Sequence, residues 1–149
     1  MVRKIAATVL GIIVAGLIVA ACEALGHTVY PIPPDIDLKD SVQFENYVQS
    51  LPFGAFLFLA GAWTSGTLGG GLLACFIARE KPFIYSGIVG GFILVATVAN
   101  LIVIPHPIWF SISALIAIAV VTYVTGIIAS SRVFAGGANQ KSDVFTEGS

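Results

Sequence analysis

Asn100-Leu101-Ile102-Val103-Ile104-Pro105-His106-Pro107-Ile108-Trp109-Phe110 stands between two long apolar runs. It lies within 50 consecutive residues, 82–131, that contain no Lys, Arg, Asp or Glu. Proline lacks the backbone N–H and clashes with the preceding turn, yet suits the first turn of a new helix. Pro105 therefore closes one apolar helix and Pro107 opens another, with His106 held between them. The flanking runs, 82–104 and 108–131, are 23 and 24 residues long. About 20 helical residues cross the hydrocarbon core of a bilayer.

Two further uncharged runs lie upstream, 28 residues at 51–78 and 18 at 5–22. None of the four alternates with period 2, and all are too long for barrel strands. An isolated strand would leave its backbone groups unsatisfied in lipid. Composition agrees: 57% of the 149 residues are hydrophobic, 10% are charged, and the mean hydropathy is +0.97. A soluble domain carries about 25% charged residues. The expectation is an all-α, four-transmembrane-helix bundle, with the lipid bilayer as its first partner. Its spans cover about 5–25, 52–78, 82–104 and 108–131, within a membrane domain of residues 1–134.

Four antiparallel spans put Arg3, Lys4, Arg79, Lys81, Arg132 and Lys141 on one side and only Lys39 on the other. The positive-inside rule makes the basic side cytoplasmic. Both termini are then cytoplasmic, and residues 135–149 form a flexible cytoplasmic tail. The loop 26–51 and the Pro105–Pro107 corner lie outside. A net charge of -1 without a basic cluster argues against a nucleic-acid partner. Cys22 and Cys75 fall at opposite depths, too far apart to pair. They offer neither a CxxC nor a Cys/His cluster, so no cofactor is expected.

Within the outer loop, Pro31, Pro33 and Pro34 enforce an extended segment. Asp40 or Ser41 then caps a short amphipathic helix, with Gln43 placed for a capping box. Phe44, Tyr47, Val48 and Leu51 fall on one face of it. This helix lies on the bilayer surface or packs on the bundle top.

Helices in lipid associate through small residues and polar contacts. In the second span Gly61, Ser65, Gly66, Gly69 and Gly70 form small-xxx-small pairs, and Gly87 and Gly91 repeat the spacing in the third. The expected packing brings these two spans together at their glycine faces. Thr64 and Thr67 bond back to their own helix carbonyls in the ordinary case. Trp63, mid-span, reads as a packing residue.

Topology gathers Glu23, His27, Asn100 and His106 at the outer mouth, with Tyr30 and Trp109 at headgroup level. The bland reading is structural: helix caps and a rigid proline corner, with Glu23 and Asn100 bonded to loop backbone. A second reading takes Glu23, His27 and His106 as metal ligands or a proton-responsive set. A third is a pocket for a small molecule or lipid headgroup beneath the outer loop. No nucleophile elbow or HExxH pair points to an enzyme.

Gly26-His27 with Tyr30-Pro31, Leu51-Pro52, and Asn100 through Phe110 resemble a group of small, uncharacterised four-helix bacterial inner-membrane proteins. Members carry a G-H-x-x-Y-P element and an I-P-H-P-x-W-F element before the last span. The resemblance covers most of the chain except the tail. It implies a multi-pass protein of the inner (plasma) membrane and pairs the two histidine elements, while no activity or cofactor carries over. The expected function is that of a structural or accessory subunit, in a homo-oligomer or a larger membrane complex. The alternative is a small transporter or sensor with a proton- or metal-responsive site at the outer mouth.

Val19-Ala20-Ala21-Cys22 also matches a lipoprotein cleavage box, which would release the first span and lipidate Cys22. Short matches of this kind arise readily in alanine-rich helices, and four spans are expected. Mass spectrometry of the membrane-extracted protein should therefore detect residues 1–21. A mass lacking them, with lipid added, would leave only three spans.

Overall fold

The computed structural model describes residues 1–37 and 39–146, with side chains described through Ser131. Five helices follow in order: α1 (Val2–Val29), α2 (Ser41–Ser50), α3 (Phe53–Ala78), α4 (Pro82–Val103) and α5 (Ile108–Thr146). There is no strand among the described residues. α1, α3, α4 and the Ile108–Ser131 part of α5 are long and apolar enough to cross a membrane. In the tail expected to be flexible, 135–149, the backbone of α5 continues to Thr146, and residues 147–149 lie outside the described residues.

Local chemistry explains the boundaries. Pro82 occupies the first turn of α4, and Pro105 and Pro107 separate α4 from α5. Asp40 Oδ1 caps α2 by accepting from the Val42 and Gln43 amides at 3.0 and 3.2 Å. The reciprocal half of the expected capping box is absent: the Gln43 side chain accepts instead from the Asp37 amide, at 3.3 Å. The α3–α4 connection is so short that Arg79 and Lys81 both take the left-handed conformation, at φ 56° and 43°. In exchange the Arg79 N–H bonds the Cys75 carbonyl at 2.9 Å, closing the end of α3.

The buried positions are rich in alanine, with Phe56, Trp63, Phe110 and Ile118 buried among them. Ala7, Ala15, Ala74, Ala78 and Ala129 are fully buried, whereas Ile5, Leu17, Val95 and Ile116 lie more than half exposed. A water-soluble bundle would bury the large residues and would not expose so broad an apolar surface. Buried alanines and a broad apolar exterior suit a lipid environment, where close backbone approach drives association.

α1 and α3 form the closest pair, and they run antiparallel. Ala7, Gly11 and Ala15 on α1, spaced by four, face Gly66, Gly70 and Ala74 on α3, spaced likewise. A Cβ at Gly11 would stand 2.7 Å from Ala74 Cβ and 2.9 Å from the Gly70 carbonyl oxygen. A Cβ at Gly70 would run into the Gly11 carbonyl and Ala15. At the start of the pair, Lys4 Nζ meets Glu80 Oε1 at 2.7 Å. That ion pair puts Arg3, Lys4, Arg79 and Lys81 at one end of the bundle, the basic end. The Lys4 ammonium holds the Glu80 carboxyl below its ordinary range.

This seam differs from the one expected. Gly66, Gly69 and Gly70 of α3 receive α1, not α4. Gly69 meets Ile18, and Gly66 meets Ala15 and Val19. Gly61, Gly87 and Gly91 face open space, where an added Cβ would meet nothing within 4 Å, and Ser65 is exposed. α4 instead packs on α5 through Gly90 against Thr122, and Gly126 against Phe83. Spacing alone marks a helix as able to approach closely. The partner is set by matching small residues on the facing helix, which α1 supplies.

Gly70→Leu should accordingly destabilise the bundle by about 1–3 kcal/mol, the usual range for overpacking, while Gly91→Leu should unfold like the wild type. Thermal unfolding of the detergent-solubilised protein measures both, and equal effects would rule out the α1–α3 seam.

Candidate functional site

The end opposite the basic one holds the C-termini of α1 and α4, the N-termini of α3 and α5, and the helix α2. α1 continues unbroken through Gly26 to Val29, so Glu23 and His27 sit one turn apart on it. α2 makes no close backbone approach to the other helices. Side chains hold it: Val48 is buried, and Gln49 Nε2 donates to the Pro105 carbonyl at 3.3 Å. The apolar stripe Phe44, Tyr47, Val48 and Leu51 thus faces the bundle across a gap, and a cavity of about 240 Å³ remains between them.

Glu23, His27, Asn100 and His106 all line this cavity, with Tyr30 beside them. Trp109 does not; it is half exposed and stacks on Phe53, with ring centroids 5.5 Å apart. The tyrosine hydroxyl of Tyr30 packs where Gly54 leaves room, which fixes the turn after α1 against the start of α3.

Glu23 is partly buried and takes a hydrogen bond from the Trp63 indole, Nε1 to Oε1, at 3.1 Å. Trp63 is therefore more than the packing residue read from its position. The α1–α3 seam carries residue 63 opposite residue 23, a pairing that neither stretch announces alone. A hydrogen bond to a charged group contributes about 1.5–3 kcal/mol.

His106 sits in an aromatic box. It stacks on Phe110 at 5.3 Å and meets Phe56 and Trp63 edge-on at 6.4 and 6.5 Å. Its Nδ1 lies 2.8 Å from the Ile104 carbonyl oxygen, so Nδ1 carries the proton and donates. The remaining ring nitrogen, Nε2, is a lone-pair acceptor in the neutral ring. Burial pushes the His106 imidazole below its ordinary pKa, and the bond to Ile104 offsets only part of that.

Asn100 closes α4 through its backbone carbonyl, which accepts from Ile104 N at 2.8 Å. Its side-chain Oδ1 is buried and accepts no hydrogen bond. The expectation that Asn100 and Glu23 would bond to loop backbone is thus not met: one is orphaned, and the other bonds an indole. As a metal set, Glu23, His27 and His106 do not converge. Among the described residues no three His, Cys, Asp or Glu side chains come close enough to hold an ion. Thr64 and Thr67 bond back to Ala60 and Trp63, each at 2.8 Å, and leave no polar site in mid-α3.

The chain matches no protein-family model, no curated protein and no solved structure.

The depressed pKa of His106 gives a stability signature. The unfolded chain binds a proton at the ordinary imidazole value, about 6.5, before the folded one does. Stability should therefore be full above that value and fall as the pH drops through it. His106→Gln should flatten that part of the profile in unfolding scans across this range. An unchanged slope would remove the histidine from the linkage.

Proposed function

We propose that the protein is a multi-pass protein of the bacterial inner (plasma) membrane that binds a small ligand in a pocket at its outer mouth, as a sensor or carrier. Both termini are then cytoplasmic, and α2 covers the pocket from the outside. The orientation is supported by the basic residues: six of seven belong to the end that holds Lys4 and Glu80. One observation carries the binding reading. The 240 Å³ cavity has, in its lining, a buried amide oxygen at Asn100 that no protein group satisfies. An unmet buried acceptor costs about 1–3 kcal/mol, and a bound donor offsets that cost. Ligand sites are usually apolar clefts from about 300 Å³ upward with a few convergent polar groups, so this one stands at the small end.

An accessory-subunit reading is favoured by Gly87 and Gly91, whose α4 face meets nothing within 4 Å and is free for a further helix. Native mass spectrometry after mild-detergent extraction separates the two. A small adduct that is lost from Asn100→Leu supports the pocket. A stoichiometric protein partner without such an adduct supports the accessory role and counts against the pocket.

A further inference from the structure

Three side chains of the pocket offer open acceptors, beside the hydroxyls of Tyr30 and Tyr47 and the imidazole of His27. Asn100 Oδ1 accepts nothing. His106, with Nδ1 committed to Ile104, offers Nε2 as an acceptor. Glu23 gives one oxygen to the Trp63 indole and has the other to spare. Among the described residues, no Lys or Arg lines the cavity. The one ion pair among the described residues, Lys4–Glu80, is at the far end. Glu23 thus brings a carboxylate without a cationic partner to the rim of an apolar bundle, where an unpaired charge is costly. Around it stand the rings of Tyr30, Phe44, Tyr47 and Phe58.

Acceptors, a lone negative charge and aromatic faces together define the complement. It must be positive, must donate hydrogen bonds, and must be small. We infer that the pocket binds a primary ammonium group, with the Glu23 carboxylate and Asn100 Oδ1 as its acceptors and the aromatic rings against its alkyl stem. A –NH₃⁺ head has three donors. An alcohol brings a donor without the charge, a quaternary ammonium brings the charge without a donor, and a carboxylate is repelled. Aromatic faces add cation–π attraction. His27, Tyr30, Tyr47 and His106 are the other titratable groups that share the lining with Glu23. The inference rests on the binding reading proposed above and names its ligand class. Two sources carry this chemistry: a free alkylamine, and the headgroup of an aminophospholipid.

The test is calorimetry on the full chain in phosphatidylcholine nanodiscs at about pH 8, where histidine is neutral. n-Butylammonium is the probe, with 1-butanol, tetramethylammonium and butyrate beside it. Saturable one-to-one binding of butylammonium alone is expected. Glu23→Gln keeps an acceptor for the Trp63 indole and removes the charge. It should weaken binding about 10- to 100-fold, the worth of a charge-assisted bond, with little change in melting temperature. Asn100→Leu, which breaks no existing bond of Oδ1, should weaken it as well and serves should Glu23→Gln fold poorly. Binding unaltered by both variants overturns the inference, as does tetramethylammonium binding as tightly as butylammonium. Should butanol or butyrate bind in an Asn100-dependent way while butylammonium does not, the ammonium inference falls and the pocket reading stands. Should no probe bind and no adduct appear in native mass spectrometry, both fall. Repeating the titration in phosphatidylethanolamine nanodiscs identifies the source. Loss of butylammonium binding there assigns the site to the lipid headgroup, and unchanged binding assigns it to a free amine.

Discussion

The close approach of α1 to α3 is the contact on which the remaining geometry depends. Ala7, Gly11 and Ala15 against Gly66, Gly70 and Ala74 leave no room for a single added methyl group at either Gly11 or Gly70. Such a seam allows one register. Sliding α1 by a residue would drive a larger side chain into the α3 backbone, where close packing has no space to give. The consequences extend to both ends. Lys4 reaches Glu80 at one end, and Glu23 reaches Trp63 toward the other. Tyr30 then settles on Gly54 just beyond. The position of the Glu23 carboxylate in the pocket is thus set by glycines several turns away.

The rest of the pocket follows from the proline corner. Pro105 and Pro107 hold the chain tight between α4 and α5, so His106 turns inward onto Phe110 rather than out into a loop. Its Nδ1 and its backbone N–H both bond the Ile104 carbonyl, at 2.8 and 2.9 Å. One acceptor therefore fixes both the ring and the corner. Gln49 ties α2 to the Pro105 carbonyl from above. Because α2 approaches through side chains only, it roofs the cavity without filling it. One hydrogen bond, the buried Val48 and the half-buried Phe44 and Tyr47 tie it to the bundle.

What the sequence disclosed depended on whether the information was local. Charge and proline are local: a bilayer penalises charge wherever it stands, so the uncharged runs outline the helices, and Pro82, Pro105 and Pro107 mark their ends. The shared lining of Glu23, His27, Asn100 and His106 also followed from topology, because all four lie near helix ends that antiparallel spans must bring level. Partner choice was not local. Gly66, Gly70, Gly87 and Gly91 carry the same spacing, yet two meet α1 and two face open space. The deciding feature was Ala7-x-x-x-Gly11-x-x-x-Ala15, easily passed over in an alanine-rich helix. The Trp63–Glu23 bond was hidden for the same reason, since it exists only once that register is known.

The pocket's chemistry reflects an imbalance that a purely structural rim would avoid. Four helix ends meet there. Their exposed backbone groups are served by local bonds: Tyr30 N to Gly26, Ile104 N to Asn100 and Ser111 N to Pro107. The backbone therefore leaves the side chains little to do. A rim selected only for stability would fill the space under α2 with apolar side chains, since replacing buried polar groups by well-packed apolar ones is neutral or stabilising. Instead the gap stays open, and the groups around it include a carboxylate, an orphaned amide oxygen and an imidazole locked in one tautomer. Each offers an acceptor, the amide and the imidazole beside N–H groups of their own. Glu23 bonds Trp63 and His106 bonds Ile104, and neither meets the Asn100 oxygen. An unmet acceptor in a small, partly buried space is the arrangement expected when its donor comes from outside the chain.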